Sequence, residues 1–392
     1  MARLIDITGK AVSGEWGFDD ETGDGIPVIR TTNFTNDGVV NYNDIVTRKI
    51  IKKNLDEKYL RKGDIIIEKS GGSDKFPVGR VIYFDGEENT YLFNNFTGLL
   101  RVKNRELWYT KYVFYSLFFN YKRGGTRAFE NKTTGLHNLK TDEYVRRYEV
   151  TERSRNEQIL ICEKLDRAYS IIKSRQLELL LLDELIKARF VEMFGDININ
   201  DKNWSCEPLG DLCTIVRGGS PRPIEQFLGG DVPWIKIGDA TDGDNIYLSS
   251  TKEHIIQEGV NKSRLVKSGS LIFANCGVSL GFARIITFDG CIHDGWLAME
   301  DIDERLDKVF LLQALNQMTE HFRAIAPAGT QPNLNTTIMK AYKQVIPPIE
   351  LQRNFIRFAD QVDKSKFDTM TFAPIYAIIN LYLHTYFYQG RG

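Results

Sequence analysis

The 392-residue sequence has few cysteines, no apolar run long enough for a membrane span, and almost no net charge. Its five cysteines are scattered, odd in number and form no Cys-x-x-Cys pair. This pattern argues against a disulfide framework or a zinc cage, and it predicts a reducing, cytoplasmic environment. The most apolar stretch, at 372–388, is interrupted by Asn380 and His384, and the first residues lack an apolar signal core, so no membrane association is expected. A net charge of −1 means that a polyanionic partner must be met by local basic patches.

What the chain does contain is a long internal repeat. Its two copies keep the same order of segments, at offsets that fall only slightly along the chain. The matched segments, 206 to 194 residues apart, are GIPVIRTTNF (25–34) with DVPWIKIGDA (231–240), RKGDIIIEKSGG (61–72) with KSGSLIFANCGV (267–278), GRVIYFDG (79–86) with ARIITFDG (283–290), Asn138-Leu139 with Asn333-Leu334, and Gln158 with Gln352.

Each copy predicts the same order of secondary structure. Short β-rich runs such as DIIIE, RVIYF and SLIFA are bounded by Gly, Asn and Asp, which is typical of strands joined by turns. A helical stretch follows in each copy, at 107–121 and 305–324, and then a loop that contains a Gly-Thr pair. Each copy closes with a further helix, so the sequence predicts two tandem modules of mixed sheet and helix.

The longest predicted helix covers about 154–194, which contains no proline or glycine and is followed by Gly195 as a stop signal. Apolar residues recur along it every seven positions from Leu165 to Met193, which predicts a coiled-coil seam about 60 Å long. A second helix is predicted to begin after Pro347-Pro348 and to pair antiparallel with the first. Since 367–392 lacks the heptad pattern and contains Pro374, we do not expect this tail to extend the rod.

Local charge favours a nucleic-acid partner. Residues 101–155 contain 13 Lys and Arg against 6 Asp and Glu, whereas 15–44 hold 7 acids against 1 base. The basic stretch is interleaved with aromatic residues, and Gly-rich loops at 123–127 and 217–220 would bring backbone donors close to phosphate groups.

These features together resemble the specificity subunit of a type I restriction-modification system. The features that match over about 1–366 are the doubled module, the GGS-P sequence at 218–221, PVIR and PWIK, the KGD-III and SGS-LIF strands, the Gly-Thr…Asn-Leu loop, and Pro-Pro-x-x-x-Gln at 347–352. The resemblance implies an α/β (α+β) fold of two target recognition modules, each a twisted β-sheet with helices, separated by long antiparallel coiled-coil spacer helices. The expected organisation is target recognition domain one at 1–150, a central spacer helix at 151–195, domain two at 196–346, a C-terminal spacer helix at 347–366, and an atypical tail at 367–392, as in a truncated or recombined C-terminus.

The resemblance also implies the function and the partners. Each module would read one half of a bipartite site in double-stranded DNA. Two methyltransferase subunits would dock on the assembly, and restriction subunits could join them. Any S-adenosylmethionine, ATP and Mg²⁺ would belong to those partners, so no cofactor, metal ion or catalytic residue is expected on this chain.

Catalytic signatures are indeed missing from the sequence. The only Pro-Pro, at 347–348, is not part of an Asn/Asp-Pro-Pro-aromatic motif, which shapes the base pocket of amino-methyltransferases. Asp64, Glu68 and Lys69 superficially fit a metal-dependent nuclease, but their spacing is wrong and the second copy does not keep the carboxylates. Two alternatives stay open: a stand-alone enzyme that cuts or modifies DNA, and a tandem scaffold for a ligand other than DNA.

Candidate DNA-contacting residues are polar side chains in predicted loops, since Arg, Lys, Asn and Gln make the common contacts to base edges. In module one they are Lys69, Ser70, Lys75, Arg127, Asn131, Lys132, Thr133 and His137. In module two they are Arg217, Arg222, Lys236, Asn275, Thr330, Gln331 and Asn333. For the duplicated Asn138 and Asn333, a structural role, either in capping the approach to the helix or in bracing the loop, is the favoured interpretation.

Overall fold

A computed structural model describes residues 1–52, 54–133, 136–240, 246–277, 279–327 and 333–370, with the backbone alone for 132, 133, 136 and 367–370. The described residues form two compact units: unit one is Met1–Arg175 and unit two begins at Gln176. Both units combine β-sheets with helices, which confirms the predicted fold class.

Unit one is built on two four-stranded sheets. The first has the strand order β2-β10-β6-β8, and the second has the order β3-β5-β4-β9. A three-stranded sheet, β11-β12-β7, lies beside them, and β1 pairs with β13. The strands are β1 (Ala2–Arg3), β2 (Val12–Ser13), β3 (Phe18–Asp19), β4 (Ile26–Ile29), β5 (Val46–Lys49), β6 (Ile65–Glu68), β7 (Ser70–Gly72), β8 (Val81–Tyr83), β9 (Leu92–Phe93), β10 (Thr97–Leu100), β11 (Glu130–Thr133), β12 (Leu136–Leu139) and β13 (Glu149–Val150).

Unit two repeats this plan. Its larger sheet has the order β15-β23-β20-β21-β17, its second sheet has the order β18-β16-β22-β19, and β14 pairs with β24. The strands are β14 (Ser205–Pro208), β15 (Thr214–Arg217), β16 (Leu228–Ile235), β17 (Tyr247–Leu248), β18 (Glu253–Ile255), β19 (Arg264–Val266), β20 (Leu271–Ala274), β21 (Ala283–Ile286), β22 (Gly290–Ile292), β23 (Trp296–Glu300) and β24 (Lys343–Ile346).

The correspondence extends to strand direction. The strand that carries PVIR runs parallel to β9, with Val28 opposite Leu92, and the strand that carries PWIK runs parallel to β22, with Trp234 opposite Cys291. In both units the first strand pairs antiparallel with the last one before the closing helix, so that Ala2 lies opposite Val150 and Ser205 opposite Ile346. The repeat in the sequence is therefore a repeat of topology.

The predicted helices are present, with two differences. The helix predicted at 347–366 continues to Met370, and the rest of the predicted tail, 371–392, lies outside the described residues. The predicted helix at 305–324 is two helices, separated at Met318. The Thr319 hydroxyl donates to the carbonyl oxygens of Gly281 (2.6 Å) and Asn316 (2.9 Å), which ties the second helix to a neighbouring loop. The helices are α1 (Leu4–Thr8), α2 (Thr110–Lys122), α3 (Thr141–Arg147), α4 (Arg155–Phe194), α5 (Leu209–Leu212), α6 (Gln257–Val260), α7 (Lys308–Gln317), α8 (Thr319–Ile325), α9 (Thr336–Ala341) and α10 (Ile349–Met370).

Helix α4 contributes to the cores of both units. Ile161, Cys162 and Leu165 are buried in the core of unit one, together with α2. Further along, Phe190 and Phe194 are buried in the core of unit two. The helix ends where Gly195 adopts a φ of +76°, a left-handed conformation that favours glycine.

The second half of α4 pairs with α10 inside unit two. Phe355 packs edge-on against Phe190 and Phe194, with ring centroids 5.3 and 5.6 Å apart. Further along α10, Lys366 Nζ lies 2.7 Å from a carboxylate oxygen of Asp183. Residue numbers rise on one helix as they fall on the other, so the pair is antiparallel, as predicted.

Candidate nucleic-acid interface

The duplicated Asn-Leu segment braces the same loop in both units. In unit one the backbone N–H of Leu139 donates to the carbonyl of Lys69 (2.8 Å), and Asn138 lies opposite Ser70 in the sheet. In unit two the N–H of Leu334 donates to the carbonyl of Asn275 (2.8 Å), and an isolated bridge pairs Asn333 with Cys276. The repeated Asn-Leu therefore holds its loop against the chain that follows β6 or β20, as the favoured structural interpretation expected.

The duplicated glutamines make a second matched set of contacts. Gln158 Oε1 accepts from the backbone N–H of Tyr109 (2.8 Å), while Nε2 donates to the carbonyls of Leu107 and Arg153. Gln352 Oε1 accepts from the N–H of Asp307 (2.8 Å), and Nε2 donates to the carbonyls of Arg305 and Pro347. Each glutamine is buried at the start of a long helix and fixes the start of the helix, α2 or α7, that precedes the loop.

The three-stranded sheet of unit one carries several of the predicted DNA-contacting residues. Asn131 on β11 lies opposite Asn138, and Ser70 opens β7. His137 on β12 is 5% exposed, and its Nδ1 lies 3.1 Å from Glu130 Oε2. The His137 side chain is thus buried against Glu130 within this sheet. With so little exposed surface, it is not among the residues that we propose to contact DNA.

Lys69 takes part in a different contact from its neighbours in the chain. Its Nζ donates to the hydroxyl of Ser13 (2.8 Å), on the first four-stranded sheet. Burial and the nearby Lys58 lower the pKa of Lys69. Lys132 and Thr133 belong to β11, and the structure describes only the backbone of these two residues.

Lys75 and Arg127 come together in a cationic groove. The groove is lined by Asn36, Lys75, Phe76, Pro77, Tyr121, Lys122, Arg123, Gly124 and Arg127. Arg127 Nη2 donates to the backbone carbonyls of Asp74 (3.2 Å) and Lys75 (3.5 Å), which fixes one side of the groove to the other. Four cationic side chains on one surface match the phosphate backbone of a nucleic acid.

In unit two, Arg217 and Arg222 meet at Asp294. Arg217 Nε donates to the Asp294 carbonyl (3.2 Å), and Arg222 Nη2 lies 3.4 Å from an Asp294 carboxylate oxygen. The hydroxyl of Ser220, from the GGS-P segment, donates to the same carboxylate (2.9 Å). Burial acts to raise the pKa of Asp294, but the hydrogen bond from Ser220 and the adjacent His293 hold it below its ordinary value. The carboxylate holds this loop together while leaving Arg222 81% exposed.

The other candidates of unit two differ in exposure. Lys236 forms an ion pair with Glu253 and lies 5.7 Å from the ring centre of Trp234. Asn275 is fully buried, and its Nδ2 donates to Asn333 Oδ1 and to the Leu334 carbonyl, both at 3.2 Å. We therefore assign Asn275 to the brace and not to the DNA surface. Thr330 and Gln331 lie outside the described residues.

The basic stretch at 101–155 does not form one continuous face. Arg101 makes a two-pronged contact with the buried Asp64 (2.8 and 2.6 Å), and Lys111 pairs with Asp166 (2.7 Å). Arg155 lies over the ring of Tyr109 at 4.7 Å. The charge count along the sequence overstated the basic surface, because these cations satisfy partners within the fold.

The carboxylates considered for a nuclease also have structural partners. Asp64 is fully buried against Arg101, and burial raises the pKa of Glu68, which lies 3.5 Å from Arg80. Within the described residues, no group of His, Cys, Asp and Glu could hold a metal ion. Among the helices described, none is long and apolar enough to cross a membrane.

Sequence reasoning missed part of both clusters. Phe76, Lys122 and Arg123 join the cationic groove, and His293 and Asp294 join the cluster around Ser220. The Gly-rich loop at 123–127, which the sequence placed close to phosphate groups, could have identified Arg123. Nothing in the sequence distinguishes Phe76 from the many buried aromatic residues, because its exposure depends on a loop shape set by distant contacts.

A doubled α+β unit, with one loop brace per copy and polar loops that differ between the copies, defines a tandem recognition protein. The profile of the type I restriction modification DNA specificity domain matches residues 4–180 and 201–375, so the chain belongs to this family.

Similar proteins agree with this assignment. The MjaIX type I restriction enzyme specificity subunit of Methanocaldococcus jannaschii is 22% identical over 192 residues, a match that covers 46% of this chain and 44% of that protein. The chain thus spans under half the length of this relative. The fold resembles the type I restriction-modification S subunit of M. genitalium, with a TM-score of 0.56, 16% identity, and coverage of 98% and 95% of the two chains. It also resembles a chain from a study of complex assembly and conformational transition of a type I restriction-modification system, with a TM-score of 0.61, 15% identity, and coverage of 98% and 96%.

Proposed function

We propose that this chain is the DNA-binding specificity subunit of a type I restriction-modification complex and that each unit reads one half of a bipartite duplex site. The observation that carries the proposal is the duplication of a whole topology, including its loop brace, around loops of different sequence. Unit one presents Lys75 and Arg127, whereas unit two presents Arg217 and Arg222. A shared frame with different polar loops is what two independent readers require.

The chain acts in this proposal without catalysis of its own. Two methyltransferase subunits dock on it and restriction subunits join them, and those partners bring S-adenosylmethionine, ATP and Mg²⁺. The buried ion pair of Asp64 and Arg101 supports this division, because that carboxylate is already committed to a structural partner. The cytoplasm, where chromosomal DNA and these cofactors occur, is the proposed location.

The proposal is tested by binding of the full chain, with its methyltransferase partner, to a pool of randomised duplexes. Sequencing of the bound pool should give two short motifs separated by a gap of fixed length. Binding should weaken steeply as salt rises, since several phosphates are contacted. Binding that is insensitive to salt and lacks a motif would favour the scaffold alternative.

The stand-alone enzyme is tested separately. The purified chain, incubated with plasmid, Mg²⁺ and S-adenosylmethionine, should neither cleave nor methylate DNA. The same mixture with methyltransferase added should methylate it, which serves as the positive control.

A further inference from the structure

The connection between β6 and β8 in unit one carries a loop at 73–78, SDKFPV, of which residues 73–76 are exposed and Val78 is buried. At its tip the backbone N–H of Ser73 donates to the Phe76 carbonyl (2.7 Å), and the Phe76 N–H donates to the Ser73 hydroxyl (3.1 Å). This tight turn points the Phe76 ring outward, and the residue is 57% exposed. A single exposed apolar residue is common on a protein surface, so the function of this ring is inferred from its fixed turn and its surroundings and not from its exposure alone.

The loop is held in place at its base. A Cβ on Gly72 would lie 2.5 Å from the backbone nitrogen of Val78, and Gly79 has a φ of +102°. Glu130 Oε1 accepts from the Val78 N–H (3.0 Å), and the other oxygen of Glu130 contacts His137. Arg127 donates to the carbonyls of Asp74 and Lys75. Because the loop is already ordered, Phe76 can enter a binding partner with little further loss of conformational entropy.

The surroundings of Phe76 are cationic. Lys75 Nζ lies 5.4 Å from the centre of the Phe76 ring, and the cationic groove adds Lys122, Arg123 and Arg127. Asp37 and Asp74 are exposed acids near this surface, through their proximity to Lys122 and His137 respectively. Glu68 and Glu130 also act on Tyr121 of the groove, but their side chains are buried against Arg80 and His137. The four exposed cations of the groove therefore outnumber these two exposed acids around an apolar tip, an arrangement that fits a polyanion with an apolar interior.

Among the described residues of the corresponding connection in unit two, between β20 and β21, no large apolar side chain is exposed. That connection is shorter, and its Leu280 is 1% exposed. Within the part of the chain that the structure describes, the exposed ring is thus found in this connection of unit one and not in its counterpart, whereas the frame that supports it is shared.

We propose that Phe76 is a wedge that inserts between adjacent base pairs of duplex DNA, so that unit one reads the deformability of one base step within its half-site. The inference rests on the proposed function and deepens it. Apolar side chains that unstack a base step kink the duplex, and pyrimidine–purine steps yield most easily. The cations of the groove would hold the phosphates on either side of the kink.

The test compares the wild-type chain with Phe76→Ala, Phe76→Leu and Phe18→Ala, each bound to methyltransferase. Phe18 is a matched control, because it is 65% exposed on unit one but is followed in the chain by Asp19 and Asp20. Each complex selects from a randomised duplex pool. The preferred step is then labelled with 2-aminopurine, whose fluorescence rises when it is unstacked.

We expect the wild-type protein to prefer a pyrimidine–purine step at one position and to brighten 2-aminopurine placed there. Phe76→Ala should abolish both the preference for this step and the rise in 2-aminopurine fluorescence. It should also weaken binding by roughly tenfold or more, the scale of losing one base–aromatic contact. Phe76→Leu should keep most of the effect, since leucine is also an apolar wedge. Phe18→Ala should behave as wild type.

Other outcomes overturn the proposal. An unchanged motif and affinity in Phe76→Ala would show that the ring does not enter DNA. If Phe76→Ala loses methyltransferase during purification but still selects the same motif, the loop is a protein-docking site and not a wedge. If the wild-type protein selects no motif, the proposed function itself fails. Should Phe76→Ala not fold, the absence of 2-aminopurine brightening with wild-type protein decides against the wedge.

Discussion

At the scale of single residues, each unit is stabilised internally by a few buried polar side chains. These side chains occupy equivalent positions in the two units. Gln158 and Gln352 each satisfy one backbone donor and two backbone acceptors at the start of a long helix. Removing a buried side chain of this kind leaves several backbone groups without a partner, and each unsatisfied group is costly.

Gln158→Ala should therefore lower the free energy of unfolding of unit one by about 1–3 kcal/mol, and Gln352→Ala should do the same to unit two. Urea unfolding followed by a fluorescent probe in each unit measures this. Gln361→Ala, at an exposed position on α10, is the control and should have almost no effect. Equal loss from all three variants would mean that the buried contacts contribute little.

Acid sensitivity of unit two should depend on Arg305. Its guanidinium binds Glu207 on β14 (2.7 and 2.9 Å) and Asp303 (2.9 Å). These contacts, together with a hydrogen bond from the Arg305 backbone N–H to Asp303, lower the pKa of Asp303 to about 2, and the guanidinium lowers the pKa of Glu207 below its ordinary value of 4.5. Both pKa values are depressed by folding, so this stabilisation is present above the unfolded pKa values and is lost as the pH falls towards 2.

The measurement is the unfolding free energy of wild type and Arg305→Ala across the acid range. The difference between them should be largest at neutral pH and should shrink as the pH falls below 4.5. Arg353→Ala, which removes an exposed pair with Glu350, should show no such pH dependence. A wild-type advantage that stays constant down to pH 2 would rule out this linkage.

At the scale of elements, the antiparallel pair of α4 and α10 depends on an aromatic cluster. Phe355 is fully buried between Phe190 and Phe194. Phe355→Ala should cost unit two about 3–5 kcal/mol, the usual range for removing a buried aromatic ring. Phe358→Ala, which truncates a partly exposed ring beside Arg189, should cost clearly less. Thermal unfolding measures the loss of stability in the two variants. Equal losses would mean that the helix pair as a whole, and not the aromatic cluster, stabilises unit two.

One face of α4 is apolar and exposed. Leu177, Leu180, Leu181 and Leu185 are all among its exposed residues, at spacings that place them along one side of the helix. If methyltransferase docks there, as the proposed function allows, Leu180→Glu with Leu181→Glu should abolish co-purification with methyltransferase. Ile199→Glu, an exposed apolar residue beyond the helix, should not. Dye binding by the isolated chain should fall in the double variant, which provides a readout that needs no partner.

The limits of prediction from sequence also appear at this scale. The bounds of α4 and the positions of strands such as β6, β8 and β20 could be predicted, since both depend on local periodicity and on a repeat that is visible in the sequence. The separation of α7 from α8 could not, because Thr319 bonds to Gly281, which is far away in the chain. The burial of Asn275 and the exposure of Phe76 depend in the same way on which segments meet in space. Candidate binding residues were thus harder to predict than the frame that supports them.

At the scale of the whole molecule, two units with one frame should read two sequences independently. Arg222→Ala should relax recognition of one half-site, and Arg127→Ala should relax recognition of the other. If each arginine contacts a base, the loss is about 1–3 kcal/mol, and the effects of distant sites add. Binding to duplexes altered in one half-site at a time, for each variant and the double variant, measures this. Loss at both half-sites from one substitution would mean that the units do not read separately.

The pairing of the first strand of each unit with its last has a consequence for inheritance. Because β1 lies beside β13 and β14 beside β24, the chain enters and leaves each unit at neighbouring points. A unit closed in this way can be replaced by the corresponding unit of another protein without leaving a strand unpaired. A single genetic crossover within the codons of α4 would therefore exchange one whole half of the molecule and leave the other half folded as before. Under the proposed function, a cell carrying this gene could acquire a new half-site specificity in one recombination event, a far shorter route than the stepwise mutation of contact residues.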